Sequence, residues 1–216
     1  MIFKRLLELL FPSKCVLCRK ILSKDELDLC RDCRTNGPRF HPGRGKIRFV
    51  QDYAAVWFYE DQVRSSLLRY KFHRARHYAS AYGRMVAMVV QKDLPEELDL
   101  ITYVPVSAKR KLERGYDQVE LLAQAVSEEL DIPMVPLLKK VRDNPPQSGI
   151  EKAEERRANV LGAYVSLNTD RIRGSRILLL DDIITSGATV SECARVLQGA
   201  QAKEIYCAAV AAVRNH

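Results

Sequence analysis

Two clusters of residues in this chain have the types and spacing needed for chemistry. The first is Asp181-Asp182, followed after two apolar residues by Thr185, Ser186, Gly187, Ala188 and Thr189. Adjacent carboxylates can accept hydrogen bonds from vicinal hydroxyls, directly or through a divalent cation. If a helix starts here, the backbone N–H groups of 185–189 can cradle a phosphate dianion. Gly187 keeps a Cβ out of the way, and the hydroxyls of Thr185, Ser186 and Thr189 add donors. A sugar bearing a 5-phosphate presents both features side by side. A generic strand–turn–helix with a capping Asp accounts for one acid, but not for the pair plus a hydroxyl-rich loop.

The second cluster is Cys15-Val-Leu-Cys18 and Cys30-Arg-Asp-Cys33, two C-x-x-C pairs separated by 11 residues. Each pair can form a tight knuckle, and four thiolates complete a closed, structural zinc site. Iron–sulfur ligation is the other chemistry open to four thiolates, and a redox dithiol is the weaker reading because both pairs occur. A module this small has too little core to fold alone, so metal binding would supply the missing free energy. Cys193 and Cys207 read as core residues. The four histidines (His41, His73, His77, His216) offer no metal-ligand pattern beyond the spacing of His73 and His77, which reads as a helix surface.

These residues need elements to position them. The continuous apolar run 177–180 reads as a strand buried on both faces, which puts the acid pair at its C-terminal end. In open α/β sheets that end is where ligands bind. Further strands are expected at 53–59, 98–105, 135–139, 159–167 and 203–213. Helices are expected at 62–70, 77–92, 114–130 and 189–199, the last with Gly199 as its C-terminal cap. The alternation implies an α/β fold with a mainly parallel sheet flanked by helices. Two more segments could serve a second phosphate group. Ser107, Lys109 and Arg110 follow the strand 98–105. Lys139, Arg142, Gln147, Arg156 and Arg157 flank a Pro/Gly loop at 143–149 that could close over a ligand and exclude water. Taken singly, each of these also reads as an ordinary solvated residue.

The chain has 216 residues, 47% apolar and 29% charged, as in a soluble globular protein. Its longest apolar runs are too short to cross a bilayer. The start superficially resembles a signal peptide, but it lacks a small-residue cleavage site and Glu8 interrupts it. Phe3, Leu6, Leu7 and Leu10 instead fit a short amphipathic helix, and a cytoplasmic, reducing location is expected. Three segments are expected: the helix and cysteines at 1–35, a basic linker at 36–48, and an α/β domain at 49–216. Of a formal net charge of +8, seven units fall in the first 50 residues. Residues 34–48 hold five basic side chains and no acid. Such a patch suits a phosphate-rich partner, nucleic acid above all, or a solvated linker.

The acid pair and its loop closely resemble the motif of type I phosphoribosyltransferases that binds 5-phosphoribosyl-1-pyrophosphate (PRPP). That motif reads apolar run, Asp/Glu-Asp, two apolar residues, Thr-Thr/Ser-Gly-x-Thr. The resemblance implies that Asp181 and Asp182 hold the ribose hydroxyls, and that Thr185, Ser186, Gly187, Ala188 and Thr189 hold the 5′-phosphate. The stretch 139–149 with Arg156 and Arg157 resembles the mobile loop of amidophosphoribosyltransferases. Pro105-Val, Arg114-Gly-Tyr-Asp-Gln118, Pro146-Gln, the run from Arg156 to Asn159 and the phosphate loop together resemble the ComF/GntX family of competence-associated proteins. That family usually has Arg-Gly-Phe-Asn-Gln, so Tyr116 and Asp117 are conservative departures. The resemblance spans nearly the whole chain, cysteines included. It implies a phosphoribosyltransferase-like domain behind a four-cysteine zinc module, with PRPP bound alongside Mg²⁺. It also implies a role in single-stranded DNA uptake during natural transformation, with single-stranded DNA and other DNA-uptake proteins, such as a competence helicase, as partners. A second reading is an active Mg²⁺-dependent phosphoribosyltransferase that acts on a nucleobase or amine acceptor and releases pyrophosphate.

Overall fold

The apolar run becomes strand β5 (Arg176–Ile184). It extends past its expected end, so the acid pair lies within the strand. The computed structural model describes residues 12–41, 46–73, 75–143 and 153–214, without the side chains of residues 153, 154, 156 and 157. The expected helix at the N-terminus, loop residue Gln147 and the side chains of Arg156 and Arg157 lie outside the described residues.

Strands β1 (Tyr53–Phe58), β2 (Leu100–Tyr103), β5 and β6 (Glu204–Ala212) form a parallel sheet in the order β1-β6-β5-β2. Parallel pairing demands crossover connections, and these put helices on both faces. Helices α2 (Asp61–Phe72) and α3 (Tyr78–Asp93) follow β1. Helices α4 (Ala108–Arg114) and α5 (Gln118–Leu130) follow β2, and α8 (Ala188–Gly199) joins β5 to β6. The period of two along β5 divides its side chains between two cores. Leu178 and Leu180 pack with Tyr82, Val86, Leu122 and Val126 from α3 and α5, while Ile177 and Leu179 pack with Val190, Cys193 and Leu197 from α8. Fully burying each such side chain contributes roughly 1.5–3 kcal/mol.

Three elements differ from expectation. The helix expected over 114–130 is two helices. Gly115, at φ 76°, is the left-handed C-cap of α4, and Asp117 caps α5 by accepting from the N–H of Val119 and Glu120. Gly-x-Asp is thus a stop followed by a start, which the apolar spacing across it conceals. The strand expected over 159–167 shrinks to β4 (Tyr164–Ser166), because the helix-forming run before it makes α6 (Ala153–Val160). Strand β4 pairs antiparallel with β3 (Leu138–Lys140), away from the main sheet, and a short turn of helix, α7 (Thr169–Ile172), leads on to β5. Gly199 is the last residue of α8, and Ala200 is its cap.

The segment expected as a linker is partly built into the sheet. Phe40 N–H donates to Val56 O and Phe58 N–H to Pro38 O, so residues 38–40 cover the outer edge of β1. Upstream, the cysteine loops and α1 (Arg31–Asn36) bury Val16, Leu17 and Leu29 in the same core as α3. Among the described residues, no helix is long and apolar enough to cross a membrane.

Candidate functional site

Side-chain alternation sends the two adjacent acids to opposite faces of β5. Asp182 follows Leu178 and Leu180 toward α2 and α5. Its Oδ1 pairs with Lys71 Nζ at 2.9 Å, and its Oδ2 accepts from Gln118 Nε2 at 2.7 Å. Each oxygen keeps a further lone pair for a ligand. Asp181 follows Ile177 and Leu179 toward α8, and its Oδ1 accepts from the backbone N–H of Asp182 at 2.8 Å. Burial pushes its carboxyl up to about 8; the neighbouring Asp182 charge adds to the rise and Lys71 opposes it.

Beyond Ile184 the chain turns directly into α8. Gly187 is the N-cap at φ 72°, in the left-handed region. A Cβ there would also meet Ile47 Cγ1 at 3.2 Å, so a residue of the basic 36–48 segment rests against this loop. The first-turn N–H groups of α8 have no intrahelical acceptor, as at any helix start, and they point out of the strand end. Thr185 and Thr189 line the adjoining cleft, Ala188 is buried and Ser186 is exposed.

The cleft encloses about 1220 Å³ and, among the described residues, is lined by five cations (Lys71, Arg76, Arg110, Arg114, Lys140) against three carboxylates (Asp181, Asp182, Glu113). That balance favours an anionic ligand. Of the residues expected to meet a second phosphate, Arg110 lines the cleft. Ser107 is buried and caps α4, accepting from Arg110 N–H at 3.3 Å. Lys109 is exposed on α4, and Arg142 is exposed and donates to Leu161 O. Lys139 is exposed on β3, and its neighbour Lys140 faces the cleft instead, with its ammonium 5.3 Å from the Tyr164 ring. The strand's alternation decides between the two lysines, and a one-residue error in strand position reverses the choice. Burial lowers the Lys140 pKa and the nearby Arg110 charge lowers it further, so an anion placed there would relieve both.

Besides Lys140, sequence reasoning missed three residues that touch this centre. Gln118 stood within the Arg-Gly-Tyr-Asp-Gln motif without an assigned role. Arg114, in the same motif, donates from Nη1 to Gln118 Oε1 at 2.7 Å, and its guanidinium lies 4.8 Å from the Phe72 ring centroid. Lys71 had no signal at all, since it falls just past the expected end of its helix.

In the cysteine module, the Sγ atoms of Cys15, Cys18, Cys30 and Cys33 all lie within 4.8 Å of one another, and Cys18 and Cys30 are 3.6 Å apart. A tetrahedral ion with Zn–S bonds of about 2.3 Å spaces its sulfurs by about 3.8 Å, so the four residues fit zinc. The first knuckle is closed by Cys15 N–H to Lys20 O and Arg19 N–H to Cys15 O. The module docks on α3 through a two-pronged Arg84–Asp28 pair at 2.8 and 2.6 Å.

Two family models match the two ends of this arrangement. Residues 120–216 match a phosphoribosyl transferase domain, and residues 6–42 match a double zinc ribbon domain, here with one cysteine tetrad. The fold is therefore of the phosphoribosyltransferase type, with a four-cysteine group at its N-terminal end that fits structural zinc. It is 27% identical to competence protein ComFC of Bacillus subtilis, over 85% of this chain and 70% of that protein. It is 27% identical to competence protein F of Haemophilus influenzae, over 90% and 95%. To the DNA utilization protein YhgH of Escherichia coli it is 27% identical, over 89% and 88%. These relatives, similar to the chain over most of its length, are named as competence and DNA utilization proteins.

Proposed function

We propose that the cleft binds PRPP together with Mg²⁺, and that the protein acts in single-stranded DNA uptake during natural transformation. The observation that carries the first part is the placement of Asp181 and Asp182 beside the α8 N-terminus, at the C-terminal end of a central parallel strand. The 5′-phosphate sits on the N–H groups and hydroxyls of 185–189, and the two carboxylates take the ribose hydroxyls. Arg110 and Lys140 face the pyrophosphate, and Gln147, Arg156 and Arg157 close over it. Mg²⁺, a hard cation that prefers oxygen ligands, neutralises the pyrophosphate when bound. The names of the relatives and the basic stretch 34–48 support the second part. On this reading the chain divides into a zinc module at 1–35, a basic connector at 36–48 and the PRPP domain at 49–216. It works in the cytoplasm with other DNA-uptake proteins, such as a competence helicase.

Calorimetric titration of the zinc-loaded protein with Mg²⁺ and PRPP tests the site. Saturable binding that is lost in an Asp181→Asn/Asp182→Asn double variant is expected; no binding to the native chain rejects the reading. Single-strand binding across a salt series tests the partner. Each phosphate contact lowers the log–log slope by about 0.7, and a flat response rejects phosphate contacts.

A second reading, transfer to a nucleobase or amine acceptor, is favoured by one observation. Phe72 is 58% exposed at the cleft mouth beside Arg114 and offers an aromatic face to a planar acceptor. In that reaction the acceptor's lone pair forms the new bond at C1 as the C1–O bond to pyrophosphate breaks. Pyrophosphate release that depends on an acceptor is its test.

A further inference from the structure

Helix α2 touches both chemical centres. Gln62, Ser66 and Arg69 recur at helical spacing on one face, and all three meet the cysteine module. Cys33 Sγ donates to Gln62 Oε1 at 3.4 Å, and with the thiol ionised on a metal the same amide, turned over, would present its NH₂ to the sulfur. Ser66 Oγ donates to Val16 O. Arg69 Nη2 donates to Val16 O at 3.0 Å and to Leu17 O at 2.6 Å. Those two carbonyls belong to the residues between Cys15 and Cys18, so α2 grips the first knuckle by its backbone.

The last turn of the same helix meets the cleft. Tyr70 Oη donates to Gln118 O at 2.6 Å, and Tyr116 Oη donates to Tyr70 O. Lys71 pairs with Asp182 at 2.9 Å, and Gln118 holds the other oxygen of that carboxylate. A helix of 12 residues is about 18 Å long. Between its ends, Val63, Leu67 and Tyr70 are fully buried, so the rod is held along its length and cannot pivot freely.

We propose that Lys71 is a positioning residue for Asp182, and that the metal-loaded cysteine module sets its position through α2. Metal in the module and ligand in the cleft then stabilise each other. The ligand half of this rests on the PRPP reading; the coupling of Lys71 to the module does not. Thermodynamic linkage makes the effect reciprocal, since whatever fixes α2 at one end also favours the bound state at the other.

The test measures the zinc affinity of the full-length chain by equilibrium competition with a chromophoric chelator, first with no ligand present. Lys71→Met and Asp182→Asn are expected to weaken zinc affinity by about five-fold or more, and Lys71→Arg to restore it. Arg176→Met controls for general loosening, because its ion pairs with Glu97 and Glu204 lie at the far, N-terminal end of β5. An unchanged affinity in Lys71→Met, or an equal loss in Arg176→Met, overturns the coupling. Mg²⁺ and PRPP are then added to the native chain. Tighter zinc binding is expected. PRPP binding by calorimetry without any change in zinc affinity overturns the reciprocal link. Failure of PRPP to bind rejects the PRPP reading instead, and the ligand-free comparison still decides whether Lys71 reports to the module.

Discussion

Asp181 and Asp182 are neighbours in the chain but stand on opposite faces of β5, and among the described residues only Asp182 is paired with a cation, Lys71 at 2.9 Å. Asp181 is left among buried groups, and that sets a pH dependence. Its pKa in the folded protein is raised, to about 8, so the folded state holds a proton that the unfolded chain has released. The resulting stability is fully present below about pH 4 and is lost as pH rises through about 8. Within that window each pH unit removes up to about 1.4 kcal/mol. Denaturant unfolding of the ligand-free protein should weaken from pH 5 to pH 8, and Asp181→Asn should flatten the slope. An unchanged slope in the variant assigns it to other groups.

Gly187 meets two demands at once, a φ of 72° and the close approach of Ile47. Gly187→Ala should cost about 1–2 kcal/mol of stability and weaken PRPP binding by displacing the loop. Ile47→Ala opens the space but leaves φ unchanged. If the double variant regains both stability and affinity, crowding by Ile47 dominates; if it regains neither, the backbone conformation does.

Much of this was legible in the sequence, for physical reasons. The run 177–180 with two acids and a hydroxyl–glycine loop marks a strand and a helix start, because few other structures satisfy that order of residues, though the strand runs on to Ile184. The cysteine spacing does the same for the metal site. Lys71 and Lys140 were not legible. Each becomes a site residue only through tertiary placement, one by the two further residues at the end of α2 and the other by its position on a three-residue strand. Gly115 was legible in principle as a helix stop, but the apolar spacing on either side concealed it.

Lys139 and Lys140 supply a matched pair of variants. Lys140 faces the cleft and Lys139 faces solvent. Lys140→Met should weaken Mg²⁺–PRPP binding by about ten-fold, the loss of one charge-assisted contact, while Lys139→Met leaves it within about two-fold. Calorimetry on the two variants decides, and equal losses would mean that β3 shifts its register when ligand binds.

The six cysteines should separate into two classes by reactivity. Cys193 on α8 and Cys207 on β6 are buried in one core, and burial pushes both thiols well above the ordinary range, so they are protonated and inaccessible. Cys15, Cys18, Cys30 and Cys33 form the tetrad, and metal masks them as thiolates. An aromatic disulfide reagent should therefore titrate almost no thiol in the zinc-loaded protein and four after chelation. All six should react only in denaturant. Chelation should also lower the melting temperature, because Val16, Leu17 and Leu29 leave the α3 core once the loops open. If six thiols react on chelation alone, the parallel sheet does not hold together without the zinc module. If four react with no change in melting, the module is an appendage and its buried apolar residues contribute little to the domain.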